Sequence, residues 1–214
     1  NDGIVVAASK EAKAIGLELG VAIFKVEKLV RSAQVHVFSS NYTLYGDISQ
    51  RVMETLSQFT PRIEVYSIDE AFMDFSGFDP GGITGYGRHI RDVVRQWTGI
   101  PVSIGIAETK TLAKIANRFA KRSKKADGVV NLTASPYREK ALAAVPVGNI
   151  WGIGSRYTRF LNKHGIHTAL DFSNAGEVWV KKHMGVVGVR MVKELRGIPC
   201  IPFEPDTPVK KEIC

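Results

Sequence analysis

Two acids, Asp69 and Glu70, stand side by side in the stretch RIEVYSIDEAFMDFSGF, between two hydrophobic runs that alternate as strands do. In a straight strand their side chains would point to opposite faces, whereas at a hairpin bend they converge. Two converging carboxylates repel one another and lose hydration, so a positive partner must offset that cost. Hard oxygen ligands in this number suit Mg²⁺, which takes one or two carboxylates and completes its shell with water and substrate phosphates. The same pair also reads as an exposed acidic turn, a common end for a strand.

The partner is sought in KTLAKIANRFAKRSKK. Leu112, Ile115, Ala116 and Phe119 form an apolar helical stripe, while Lys110, Lys114, Arg118, Lys121, Arg122 and Lys125 recur mostly every three or four residues on another face. Between residues 107 and 125 seven Lys and Arg face a single acid, Glu108. A charge run is usually a solvated face, but solvated faces mix both signs. A one-sign stripe beside two acids fits a site for metal-bound phosphates, the acids holding the cation and the lysines neutralising phosphate oxygens.

A third candidate is WGIGSRYTRFL. Gly152 and Gly154 flank Ile153, read as a packing residue, just before a helix whose first residues are Ser155 and Arg156, with Arg159 and Lys163 one and two turns on. A glycine hairpin at a helix start lets backbone N–H groups approach a phosphate. This is the pattern of a helix-hairpin-helix, which grips DNA backbone without reading sequence, although glycines also occur in any tight turn. The five histidines show no metal spacing, and Trp97 and Trp179 fall at apolar helical positions expected to be core.

The elements that must position these residues follow from periodicity. Residues 9–19 read as helix, 35–40 as a short strand, and GDISQRVMETLSQFT as a helix through Ile48, Val52, Leu56 and Phe59. After the acidic hairpin come a helix through Ile90, Val93, Val94 and Trp97, a buried strand IPVSIGIAET, and the basic helix. The order favours an antiparallel sheet with helices on one face, an α+β layer. Beyond residue 131 short, basic, glycine-broken helices follow, the first signalled by Ser135-Pro136. The chain has 214 residues, is 44% hydrophobic and carries a net charge of +8, which permits a core and suggests a polyanionic partner. Its two cysteines, Cys200 and Cys214, make neither a disulfide framework nor a zinc module and suit a reducing cytoplasm. No apolar run is long enough to span a membrane and the N-terminus has no signal-peptide pattern. The start at NDGIVVAAS and the end at TPVKKEIC read as those of a fragment.

Taken together and in this order, YSIDEAF, VSIGIAETKTLAKIANRFAK and IWGIGSR resemble the motifs of Y-family, translesion DNA polymerases. With FSSNYTLYGDISQRVM and ELRGIPC, the resemblance is closest to the UmuC-type catalytic subunit of DNA polymerase V and covers essentially the whole chain. It implies fingers over about 1–41, a palm with an antiparallel sheet over 42–130, an all-α helix-hairpin-helix thumb over 131–207, and a linker over 208–214. It implies that Ser67, Asp69 and Glu70 match the palm's Ser-x-Asp-Glu, whose carboxylates hold two Mg²⁺ ions for nucleotidyl transfer. Lys121 matches the palm lysine on the incoming triphosphate, and the fingers' triphosphate-contacting aromatic and arginine fall on Lys10 and Lys13. Gly152, Ile153, Gly154, Ser155, Arg156 and Arg159 take the DNA-backbone role.

The implied partners are primer-template DNA, deoxynucleoside triphosphates, a UmuD-type accessory subunit, a RecA-type filament and a sliding clamp, in error-prone synthesis during the SOS response to DNA damage. The family's first palm strand, with a further metal-binding aspartate, is expected upstream of Asn1, since Asp2 precedes Gly3 outside any strand position, and a little finger is expected beyond Cys214. This chain alone is therefore expected to extend no primer. Two other readings are a non-catalytic DNA-binding module built on the helix-hairpin-helix, which needs no carboxylate pair, and a nucleotide cyclase, which needs no basic, glycine-punctuated duplex grip.

Overall fold

The computed structural model describes residues 3–79 and 81–205. The readings made for Asp2, for Cys214 and for the linker at 208–214 fall outside them. The chain divides into two compact units, residues 1–47 and 48–214.

In the first unit α1 (Lys10–Ala14) starts where Ser9 accepts a hydrogen bond from the Ala12 N–H at 3.1 Å. It stops after five residues, short of the expected 9–19, and the chain turns at Gly16 to bury Leu17. An isolated antiparallel bridge joins Ile4 to Ala22 ahead of α2 (Ile23–Ser32), which buries none of its residues. The strand expected at 35–40 is not formed. Val37 and Phe38 are exposed, and without a ladder partner an alternating pattern gains nothing from extension. α3 (Tyr42–Ser57) begins in this unit and continues into the next.

Among the described residues the second unit has a small core and a larger one. Val52, Ile90 and Val94 pack with Leu56, Phe59, Tyr86 and Ile104, joining α3, α4 (Ile83–Thr98) and β3 (Ile104–Ile106). Trp97, expected in this core, is 57% exposed: it lies in the last turn of α4, next to the left-handed Gly99 that ends the helix. β1 (Ile63–Ser67) and β2 (Glu70–Met73) form an antiparallel hairpin with a bulge at Tyr66.

β3, by contrast, pairs in parallel with β4 (Val129–Asn131), Ile104 opposite Val129. The expectation of one antiparallel sheet is thus corrected to two two-stranded sheets among the described residues, one of each kind. The reason is the connection: α5 (Lys110–Arg122) crosses over between β3 and β4, and a strand–helix–strand crossover returns the chain parallel. Gly105 makes this tight. A Cβ there would lie 2.1 Å from the Ala113 carbonyl oxygen and 2.2 Å from the Asn117 nitrogen, so a glycine is required where α5 lies against β3.

The larger core takes in the stripe of α5 and continues past residue 131. Leu112, Ile115 and Ala116 pack with Leu161 of α7 (Ser155–Lys163), Phe172 of α8 (Ala169–Ser173) and Val192 of α9 (Glu177–Leu195). The helix signalled by Ser135-Pro136, α6 (Arg138–Ala143), begins two residues late, because Ser135 instead closes a turn by accepting from the Tyr137 N–H. α9 is broken at Gly185, whose backbone is left-handed. Among the described residues no helix is long and apolar enough to cross a membrane.

One cap in this core gives a direct expectation. Thr168 accepts from the Asp171 N–H while Asp171 accepts from the Thr168 and His167 N–H groups, a reciprocal capping box that starts α8. The hydrogen bond from the Thr168 side chain, with those from the backbone, holds the Asp171 carboxyl below the usual carboxylate range. Its folded-state pKa is depressed, so its contribution is present at neutral pH and is lost as pH falls through and below the ordinary aspartate value. Asp171→Ala is expected to cost about 1 kcal/mol in thermal or urea unfolding at pH 7, and less at pH 3.

Candidate active site

The hairpin carries acids and aromatics on one face. Glu64 of β1 lies opposite Phe72 of β2, Glu70 occupies the same face two residues before Phe72, and the bulged Tyr66 rings with Phe72 at 5.8 Å. Bulges re-aim side chains beside functional sites. Two lysines of α5 meet this face. Lys114 Nζ donates to Glu70 Oε2 at 2.8 Å, and Lys110 donates to Glu64 Oε2. The side chains of Lys110 and Glu64 are only 10% and 12% exposed, so this pair is nearly desolvated and its partners are fixed.

Lys110 also donates to the Pro202 carbonyl at 2.6 Å, the Glu204 N–H donates to Glu64 Oε2 at 2.7 Å, and the Lys110 ammonium lies over the Phe203 ring. A strap running on from α9 thereby closes over the start of α5. The expectation that the whole lysine stripe neutralises phosphate oxygens is corrected for two members: Lys110 and Lys114 are engaged by protein carboxylates, because β1 and β2 turn Glu64 and Glu70 towards them.

Asp69 lies in the turn and is exposed. It accepts a hydrogen bond from the Ser67 hydroxyl at 2.8 Å, while Ser49 of α3 donates its hydroxyl to the Ile68 carbonyl and ties down the turn. Asp69 and Glu70 thus take different partners: Ser67 holds the first, Lys114 the second. Lys121 is exposed and sits seven residues beyond Lys114, two turns along the same face of α5. Arg118, also on α5, is partly buried; desolvation first and the neighbouring Arg122 second lower its guanidinium pKa. Lys10 and Lys13 are exposed on α1, in the first unit.

Lys114 is enclosed by rings. Its ammonium lies 4.5 Å from the centroid of Tyr66, 5.1 Å from that of Trp151 and 5.9 Å from that of Phe72. Trp151 donates its indole N–H to the Tyr66 hydroxyl at 3.0 Å and meets that ring edge-on. Trp151 is the residue before the glycine hairpin, so the carboxylate turn and the hairpin share one aromatic junction. Gly152 has φ +87°, and a Cβ on it would meet the Met191 methyl at 2.1 Å. Ile153 is buried at 5%, as its packing role requires, whereas Gly154, Ser155, Arg156 and Arg159 are exposed. Gly154 caps α7 without a side-chain hydrogen bond and has open space about it, which leaves the first N–H groups of α7 facing outward.

Sequence reasoning passed over three residues here. Glu64 and Tyr66 could have been found, since E-x-Y in β1 and E-x-F in β2 repeat one polar–aromatic alternation. Glu194, only 1% exposed, could not. Its carboxylate accepts from the Thr111 N–H at 3.1 Å and from the Cys200 and Ile201 N–H groups, and its carbonyl accepts from the Thr109 hydroxyl. It caps α5 across more than eighty residues of chain.

Among the described residues no group of three or more His, Cys, Asp or Glu side chains gathers to cage a metal. The donor chemistry of the turn, two adjacent carboxylates with a hydroxyl, fits a hard cation that completes its shell with water and substrate oxygens, as Mg²⁺ does.

The fold is shared with template-copying enzymes of one class: the chain superposes on a Y-family DNA polymerase chimera with a TM-score of 0.79, at 26% identity, over 96% of this chain and 59% of that one. The chain belongs to the impB/mucB/samB family, whose profile matches residues 1–118. It is 47% identical to Protein UmuC of Salmonella typhimurium over its full length and 51% of that protein's, and 33% identical to DNA polymerase IV of Moorella thermoacetica over 95% of this chain and 50% of that one. The chain spans about half the length of the relatives it matches.

Proposed function

We propose that this chain is the fingers, palm and thumb of a translesion DNA polymerase that adds deoxynucleotides to a primer, with Asp69 and Glu70 as its metal-holding carboxylates. The single observation that carries the reading is the acidic turn tied into the basic face of α5 through Glu70 and Lys114. An ordinary acidic turn has no reason to sit against an almost one-sign helix. Kinship with DNA polymerase IV and the Y-family fold support the substrate class.

In this reading residues 1–41 are fingers, 42–130 palm and 131–207 thumb, and Lys10 and Lys13 of the fingers meet the triphosphate. Lys13 supplies charge but not the bidentate fork of an arginine. Asp69 and Glu70 would hold Mg²⁺, which supplies Lewis-acid stabilisation of charge on the transferring phosphoryl group. Ser67 keeps Asp69 oriented by donating its hydroxyl. Lys121, exposed and unobstructed by the acids, neutralises triphosphate oxygens. The setting is the SOS response to DNA damage, with a UmuD-type subunit, a RecA-type filament and a sliding clamp as partners.

The hairpin Gly152–Ser155, with Arg156 and Arg159, grips the duplex backbone through N–H groups at the start of α7. Gly154→Val has room for its side chain and should leave the thumb folded. It should nevertheless weaken primer-template binding several-fold, because branched carbons block the approach of a phosphate. Arg156→Ala should lower the slope of log affinity against log salt by about 0.9, the share of one phosphate contact. Fluorescence anisotropy across a salt series reads both, with circular dichroism as folding control. Unchanged affinity in a folded Gly154→Val protein would remove the hairpin from the DNA surface. Metal-dependent primer extension by the full-length protein, rather than by this chain alone, tests the enzymatic reading itself; DNA binding by that full-length protein without extension would favour a non-catalytic module.

A further inference from the structure

One position of the Lys114 ammonium meets two kinds of partner at once: the Glu70 carboxylate at 2.8 Å and the wall of ring faces from Tyr66, Trp151 and Phe72. The pair is half-sheltered, the Glu70 side chain 33% exposed and that of Lys114 21%, so its Coulomb attraction is screened less than on an open surface. A divalent ion arriving at Glu70 must share that carboxylate with a fixed positive charge a few ångströms away. Two like charges at one carboxylate disfavour each other, and the rings go on stabilising the ammonium without a carboxylate.

We propose that Lys114 is the resident counter-ion of Glu70, which a divalent cation must displace before the carboxylate can serve as a ligand, the aromatic wall of Tyr66, Trp151 and Phe72, which the ammonium already touches, continuing to hold it once the carboxylate contact is given up. Lys114 is thus a positioning residue that neutralises Glu70 in the absence of metal and raises the threshold for metal occupancy until a second source of negative charge, the triphosphate, arrives. The inference rests on the reading of Glu70 as a metal ligand.

The test is Mn²⁺ binding to the native protein without nucleotide, read by electron paramagnetic resonance of free Mn²⁺. Lys114→Met and Lys114→Gln should bind Mn²⁺ about tenfold more tightly than the native protein, the effect of removing a unit charge from beside a divalent ion. Lys114→Arg should restore the native affinity. A purely structural role could not produce tighter binding, and the two neutral variants guard against one that fails to fold. Glu70→Gln separates the two claims. If Glu70→Gln weakens Mn²⁺ binding while both neutral Lys114 variants bind as weakly as the native protein or more so, the counter-ion role is overturned and the carboxylate reading stands. If Glu70→Gln changes nothing, the carboxylate reading fails and this inference fails with it.

Discussion

In the full-length protein, Asp69→Asn is expected to leave the fold intact and to lower metal-dependent nucleotide incorporation by about a thousandfold. Asp69 is exposed in the turn and its one named partner is the Ser67 hydroxyl, which an asparagine oxygen accepts equally well, so the change removes charge and little else. Stabilisation of the transferring phosphoryl group by a bound metal is worth several kcal/mol, and roughly 4 kcal/mol corresponds to a factor of about 10³ in rate. Single-nucleotide incorporation under saturating primer-template reads the loss, and a melting temperature within a degree or two of the native protein's, about the effect of a neutral surface change, shows that it is not unfolding. A loss of less than tenfold would take Asp69 out of the metal-holding pair.

The second large effect is structural. Glu194→Ala removes the acceptor of three backbone N–H groups, those of Thr111, Cys200 and Ile201, at a site 1% exposed. Each buried donor left without a partner costs about 1–3 kcal/mol, and the start of α5 loses the negative charge that complements its dipole. The loss is expected to reach about 3–5 kcal/mol, enough to unfold a marginal domain. The strap at 200–204 would come free with it, releasing the Lys110–Glu64 pair that it covers. Urea unfolding gives the stability, and hydrogen exchange at Thr111, Cys200 and Ile201 tells whether those amides lose protection. Glu194→Gln keeps one oxygen acceptor and should cost less than Glu194→Ala. Equal costs for the two would mean that packing, not hydrogen bonding, sets the role of this residue.

What was legible in the sequence was what short-range periodicity and turn chemistry encode. The stripe Leu112–Ile115–Ala116 buries as its spacing requires, Val52 and Leu56 of α3 face their core while Phe59 joins it from the turn after the helix end, and the acidic turn and the glycine hairpin stand where their residues indicated. What was not legible depends on partners far along the chain. Residues 35–40 alternate as a strand does, but nothing pairs with them among the described residues, so the pattern has no ladder to join. The direction of β4 was set by the crossover through α5 and by the absent side chain at Gly105, not by the composition of either strand.

Site chemistry divided in the same way. The charge of the α5 stripe was plain, but its division between lysines held by Glu64 and Glu70 and the exposed Lys121 was fixed by which face of the hairpin turned inward. Glu194 sat unremarked in an amphipathic run because its partners lie more than eighty residues upstream and on the strap after α9.

The central claim is that Asp69 and Glu70 hold catalytic metal. Crystals of the native protein grown with Mn²⁺ and a non-hydrolysable deoxynucleoside triphosphate test it most directly, through the anomalous scattering of manganese. A peak is expected within about 2.0–2.6 Å of carboxylate oxygens of both Asp69 and Glu70, also touching triphosphate oxygens, with the Lys114 ammonium moved off Glu70. Manganese bound elsewhere, with Asp69 still on the Ser67 hydroxyl and Glu70 still on Lys114, would contradict it.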